Sequence, residues 1–150
     1  ILFLSIFLGL CRYFVLSDPD FTLIKEERVI KEITSFKVPE IMTEPMAINI
    51  EFAKFLFDSK SAIYIDARDV EDFESGHIKD AINIPFDYYE DYQEVIESLN
   101  VESVYVIYCN GVECSLSMDL ADYLFNEHLF EKVLIYEGGW PEWRDKGYPS

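Results

Sequence analysis

The chain has 150 residues, 50% of them hydrophobic and 16% aromatic, which excludes a disordered chain and allows one domain with a sizeable core. Its formal net charge is −17, and residues 49–150 hold 22 of the 29 acidic side chains but only seven of the twelve basic ones. A surface that acidic repels nucleic acid and anionic lipid, so a nucleic-acid binder is excluded and anionic substrates are disfavoured.

The chain opens on "ILFLSIFLGLCRYFVL", nearly all apolar, with Arg12 its only charge. A membrane-spanning helix needs about 20 apolar residues. Residues 1–17 are therefore read as the end of a transmembrane or membrane-anchor segment, against the alternatives of a core helix or a cleaved signal. Lys25, Arg28 and Lys31 follow closely, which orients the rest of the chain towards the cytoplasm. The expected localisation is a membrane-associated protein with a soluble cytoplasmic domain. Residues 18–45 read as a linker with some β-like alternation, punctuated by Pro39 and Pro45.

From residue 46 to 150 the pattern alternates. "INIEFAKFLFDS" reads as a helix capped by Asn49, with Phe52, Phe55 and Leu56 on its buried face. "AIYID" is a short buried strand. "DVEDFESGH" is a short helix that Asp69 caps and Gly76 closes in a left-handed conformation. "AINIP" is a strand stopped by Pro85. "YYEDYQEVIESLN" reads as an amphipathic helix with Tyr88, Tyr92, Val95, Ile96 and Leu99 inward. "SVYVIYC" is the most apolar strand. "SLSMDLADYLFNEH" is a helix striped by Leu116, Leu120, Leu124 and Phe125. "KVLIYEGG" is a strand. "WPEWRDKG" is a last helix, with Pro141 in its first turn and Gly147 past its end. Strands alternating with helices predict parallel pairing in a layered α/β domain. Ligands in such sheets bind beyond the carboxyl ends of the strands, where Cys109 lies.

The three cysteines are Cys11, Cys109 and Cys114. An odd count with one close pair is not a secreted disulfide framework. No four-ligand zinc pattern occurs, and His77 or His128 completes none with the close pair, so no metal or cofactor is expected. A loop between a strand and a helix directs amide N–H groups and the positive end of the helix at Cys109, and both favour a thiolate. Such a sulfur is suited to attack a disulfide or to hold a persulfide. The alternative is a small apolar residue that ends a strand. Cys114 is close enough to pair with it if the Cα atoms come within about 7 Å, and is then a resolving thiol; alternatively it packs beneath the helix start. Glu113 in this loop raises the thiol pKa and repels anions. No Arg or Lys lies between Cys109 and Met118, which argues against a phosphatase.

"YIDARDVEDFESGHIKDAINIP", "VIYCNGVECS" and "VLIYEGGWPEWRDKGYP" together resemble the signature, the active-site loop and the closing segment of rhodanese-like domains, from about Ile48 to Pro149. The hydrophobic start and "VPEI" resemble membrane-anchored bacterial members. The resemblance implies a three-layer α/β fold over residues 46–150, with a parallel five-stranded sheet between helices. It implies that Cys109 accepts sulfane sulfur as a persulfide, cradled by the backbone amides of Asn110, Gly111, Val112, Glu113, Cys114 and Ser115. The partners implied are a sulfane sulfur donor or a thiol acceptor. Val112 and Glu113 depart from the family pattern and place thiosulfate in doubt as the donor. Asp66, Arg68, Gly76 and His77 are read as structural signature residues. Arg68 is expected to pair with Glu71, Asp72 or Glu74 at the surface, a contact worth about 0–1 kcal/mol. His77 is expected to bond backbone in a turn. Two further functions are carried: a thiol–disulfide switch of Cys109 and Cys114, and a non-catalytic binding module.

Overall fold

Strand alternation decides which side each residue serves. In Val104–Tyr108 (β4), Val106 and Tyr108 pack into one core cluster, while Tyr105, Ile107 and the following Cys109 pack into the other. The computed structural model describes residues 30–33, 35–111 and 114–150. The expected membrane segment at 1–17, Cys11, Val112 and Glu113 lie outside the described residues. Among those residues no helix is long and apolar enough to cross a membrane.

Five strands form one sheet: Met46–Ile48 (β1), Ile63–Asp66 (β2), Ile82–Asn83 (β3), β4, and Lys132–Tyr136 (β5). Their order is β1-β5-β4-β2-β3, and every pair is parallel. This is the predicted parallel α/β architecture, with β4 at its centre. Helix Ile50–Asp58 (α1) covers one face through Phe52, Ala53 and Leu56. Trp143 of Gly139–Asp145 (α5) joins it there, beside Tyr64, Tyr108 and Tyr136. Helices Gln93–Ser98 (α3) and Leu116–Asn126 (α4) cover the other face through Ile96, Leu120, Ala121 and Leu124.

The predicted caps are present. Asn49 accepts from Phe52 N–H at 2.9 Å, and Asp69 accepts from Asp72 N–H at 2.8 Å to start Val70–Ser75 (α2). Other expectations are corrected. Gly76 ends α2 at φ 152°, ψ 139°, not in the left-handed helical region. The helix expected from Tyr88 onward divides. Phe86–Tyr92 is a 3-10 segment with a non-helical Tyr88, and only Gln93–Ser98 is α-helical. Tyr88 and Val95, expected inward, are exposed, and Ile96 alone of the five is fully buried. Phe55 is half-exposed and meets Phe36 edge-on. β1 was not anticipated: three residues carry too little alternation to read. The stretch read as linker contributes Ile33 to the core, with Ile33 N–H donating to Ala47 O at 2.9 Å.

Candidate functional site at the carboxyl end of the central strand

Cys109 follows β4 at the middle of the sheet's carboxyl edge. Its backbone is held on both sides. Ala67 N–H donates to Tyr108 O at 2.9 Å, and Trp140 N–H donates to Cys109 O at 2.8 Å. Gly139 has φ 62°, and a Cβ there would fall 2.5 Å from Gly111 N, so only glycine lets the two loops meet. Asn110 Nδ2 donates to Asp72 Oδ2 at 2.9 Å, which ties the cysteine loop to α2.

The side chain is not presented to solvent as an ionised thiol. Cys109 is 1% exposed, and its sulfur is bonded to that of Cys114 across a Cα separation of 6.4 Å. Cys114 is half-buried. Among the described residues of the loop, carbonyl oxygens and not amide N–H groups lie near this sulfur. Cys114 N–H donates to Gly111 O at 2.9 Å, and the carbonyl oxygens of Cys114 and Gly111 lie 3.4 and 4.0 Å from Cys109 Sγ. Ser115 precedes α4 in helical geometry without a side-chain cap.

Sequence reasoning missed one polar group here. Ser117, the second residue of α4, is 3% exposed, with its hydroxyl oxygen 3.3 Å from Cys109 Sγ. The readable signal was its spacing. Ser117, Leu120, Ala121 and Leu124 form the buried stripe of α4, whereas Leu116 and Phe125, expected on that stripe, are half-buried.

The signature residues form the base of the site. Arg68 does not pair with Glu71, Asp72 or Glu74 at the surface. Its Nη2 lies 2.6 Å from Asp66 Oδ2, and the two residues are 2% and 0% exposed. The same nitrogen donates to Gly76 O at 2.8 Å, and the guanidinium sits 5.8 Å from the Trp140 ring centroid. Burial pushes the Arg68 pKa down, but the hydrogen bond and charge of Asp66 outweigh it and raise the net value. A Cβ on Gly76 would lie 2.7 Å from Trp140, so α2 and α5 touch through glycine. His77 Nδ1 donates to Phe73 O at 2.8 Å and its ring stacks on Phe73, the turn role expected of it. Among the described residues no group of three or more His, Cys, Asp or Glu side chains is arranged to hold a metal.

A cavity of about 930 Å³ opens beside the loop. Asn110 and Gly111 line it, together with Glu32, Glu51, Glu137, Glu142, Asp145 and Lys146. Its lining charge is strongly negative. Glu142 is held there by Tyr136, whose hydroxyl donates to it at 2.9 Å.

Known proteins resemble this chain in sequence and in fold. An uncharacterized protein of Buchnera aphidicola subsp. Schizaphis graminum is 31% identical over 108 residues, covering 69% of this chain and 67% of that protein. The tRNA uridine(34) hydroxylase of Salmonella arizonae is 31% identical over 101 residues, 63% of this chain but 28% of the hydroxylase. The polysulfide-sulfur transferase homodimer of Wolinella succinogenes superimposes with a TM-score of 0.55 at 22% identity, covering 71% of this chain and 77% of that one, a likeness of fold. Residues 49–146 match the rhodanese-like domain, and the chain belongs to that family.

Proposed function

We propose that this domain transfers sulfane sulfur through Cys109 and that Cys114 closes the reaction. The observation that carries the reading is the bonded pair at the carboxyl end of β4, with Cα atoms 6.4 Å apart. In the reduced domain the Cys109 thiolate attacks the outer sulfur of a neutral donor R–S–SH. The R–S bond of the donor's inner sulfur is kept, the S–S bond breaks, and RS⁻ leaves. Cys109 is now a persulfide. The Cys114 thiolate attacks Cys109 Sγ, the terminal sulfur departs as hydrosulfide, and the disulfide remains; where a thiol acceptor attacks the terminal sulfur first, it keeps that sulfur as its own persulfide and Cys109 returns to the thiolate with no disulfide formed. A dithiol reductant restores both thiols. Reduction also frees the face of Cys109 Sγ that Cys114 covers.

The acidic loop surroundings favour a neutral or protein-bound donor over thiosulfate. RNA has no part in the proposed reaction, and a chain of net charge −17 repels it. The membrane-anchored arrangement is part of this proposal, resting on the apolar residues 1–17. The experiment is intact-mass measurement of the reduced domain after exposure to a neutral persulfide donor. One added sulfur is expected on Cys109 in Cys114→Ser, and none in Cys109→Ser. The wild type should return to the disulfide and release sulfide. The absence of an adduct with every donor tried would refute the transfer reading.

A second reading, a reversible thiol switch, draws on the same bond and on the burial of Cys109. It predicts thiols that pair and unpair with ambient potential in a domain that takes up no sulfur.

A further inference from the structure

We propose that the Ser117 hydroxyl is a catalytic hydrogen-bond donor to Cys109 Sγ, holding that sulfur as the leaving thiolate so that an incoming thiol opens the disulfide at Cys114. The inference rests on the reading that Cys109 is the reacting sulfur, and it adds a residue and a direction of attack.

Strand alternation points Cys109 at α4, where Ser117 stands on the buried stripe. A hydroxyl that is 3% exposed among apolar side chains requires a partner. Among the described residues that partner is Cys109 Sγ, at 3.3 Å. A disulfide sulfur carries no proton, so the hydroxyl must be the donor. Among the described residues the other polar contacts of this sulfur are the carbonyl oxygens of Cys114 and Gly111, which oppose negative charge. Among the described residues Ser117 is thus the donor that offsets the cost of a thiolate at the edge of the apolar cluster that also holds Ile107, Ala67, Leu120 and Ala121.

The bond is also unequal in access. A nucleophile attacks one sulfur of a disulfide along the S–S axis, from the side opposite the leaving sulfur. Cys109 is 1% exposed and its far side faces the core, whereas Cys114 is half-buried. Attack therefore falls on Cys114. A thiolate R–S⁻ bonds to Cys114 Sγ, the Cys114–Cys109 bond breaks, and its electron pair leaves on Cys109, where the Ser117 O–H receives it. A second thiol then cleaves the R–S–S–Cys114 mixed disulfide and frees Cys114. The two thiols leave as R–S–S–R, which carries away the two electrons' worth of oxidation.

The test uses the oxidised wild-type domain, limiting 2-mercaptoethanol and iodoacetamide, followed by peptide mapping. The mercaptoethanol adduct is expected on Cys114 and the carbamidomethyl label on Cys109. The reverse pattern, or equal labelling of both, overturns the proposal, and no variant has to fold for this arm to be read. In a reduced Cys114→Ala background, the alkylation rate of Cys109 is then followed against pH. Ser117→Ala is expected to raise the apparent pKa by about one unit, as loss of a hydrogen bond to a charged group does. Ser117→Thr, which retains the hydroxyl, should keep the parent profile. A Ser117→Ala profile that superimposes on the parent overturns the role of the hydroxyl. Neither arm uses a sulfane donor, so a domain that takes up no sulfur yet passes both refutes sulfur transfer and leaves this inference standing.

Discussion

Asp66 and Arg68 face each other out of reach of water, at 0% and 2% exposure, two residues apart where β2 ends. Arg68 Nε also donates to Asp66 Oδ1 at 2.9 Å, so the fork is bidentate. Asn83 Nδ2 donates to the carbonyls of both residues, at 3.1 and 2.9 Å, and fixes the turn from the β3 side. Removing one member of such a pair leaves a charge with neither water nor partner. Arg68→Met is therefore expected to destabilise the domain by about 3–5 kcal/mol in urea unfolding, far above the 0–1 kcal/mol of a surface pair. An Asp66→Asn, Arg68→Met double variant should recover part of that loss. A single-variant loss below about 1 kcal/mol would mean that the pair is solvated. Glu71, Asp72 and Glu74 also follow Arg68 within six residues, and charge counting favours the three. Burial decides otherwise, because Asp66 ends a strand whose residues are enclosed on both faces.

At the scale of elements, β2, β4 and β5 each turn one tyrosine to the α1 face: Tyr64, Tyr108 and Tyr136. Each hydroxyl is used. Tyr64 donates to Ala53 O of α1, Tyr136 donates to Glu142, and Tyr108 accepts from Ile78 N–H at 3.0 Å. Burial is the main cause that pushes all three pKa values above the ordinary 10.0, with Glu142 adding to the rise at Tyr136. Below pH 10 both folded and unfolded chains keep these protons, and the full stability is present. As pH rises past that value the unfolded chain ionises while the folded one does not, so stability falls. The slope is about 1.4 kcal/mol per pH unit for each tyrosine, or roughly 4 kcal/mol for the three. Urea unfolding at pH 9 to 11 should show this bend, and Tyr64→Phe should lower the slope by about 1.4 kcal/mol per pH unit. A flat profile above pH 10 would show that the unfolded chain does not ionise alone. The strands that carry these tyrosines were legible because five apolar residues in alternation leave few other readings. β1 and the Phe86–Tyr92 segment were not. The first is three residues long, and in the second Pro85 sets an extended entry that one turn of aromatic side chains does not convert to an α-helix. Cys109 and Cys114 were legible by spacing, but their state was not: whether amides or a second sulfur meets Cys109 depends on how the loop folds back. Ser117 was hidden because polar residues early in a helix ordinarily face water.

For the molecule as a whole, charge sets which donors reach the loop. Net −17 is spread over one small domain, and the cavity beside Gly111 gathers Glu32, Glu51, Glu137, Glu142 and Asp145 against Lys146. A concave surface with one sign of charge focuses its field outward along the approach path. Thiosulfate, with two negative charges, meets that field before any contact with the sulfur; a neutral persulfide does not. Salt separates the two cases, because the screening length falls from about 30 Å at 0.01 M to about 3 Å at 1 M. Under the proposed reaction, the second-order rate of Cys109 persulfidation by thiosulfate should rise on the order of tenfold across that range. The rate with a neutral donor should stay within about twofold, since it has no charge for salt to screen. Stopped-flow or quenched-flow mass measurement on the Cys114→Ser domain reads both rates without interference from disulfide closure. Glu137→Gln with Glu142→Gln should raise the thiosulfate rate at low salt and flatten its salt dependence, leaving the neutral donor unchanged. Equal salt dependence for the two donors would mean that these carboxylates do not lie on the path to Cys109, and that donor choice is made by shape at the loop.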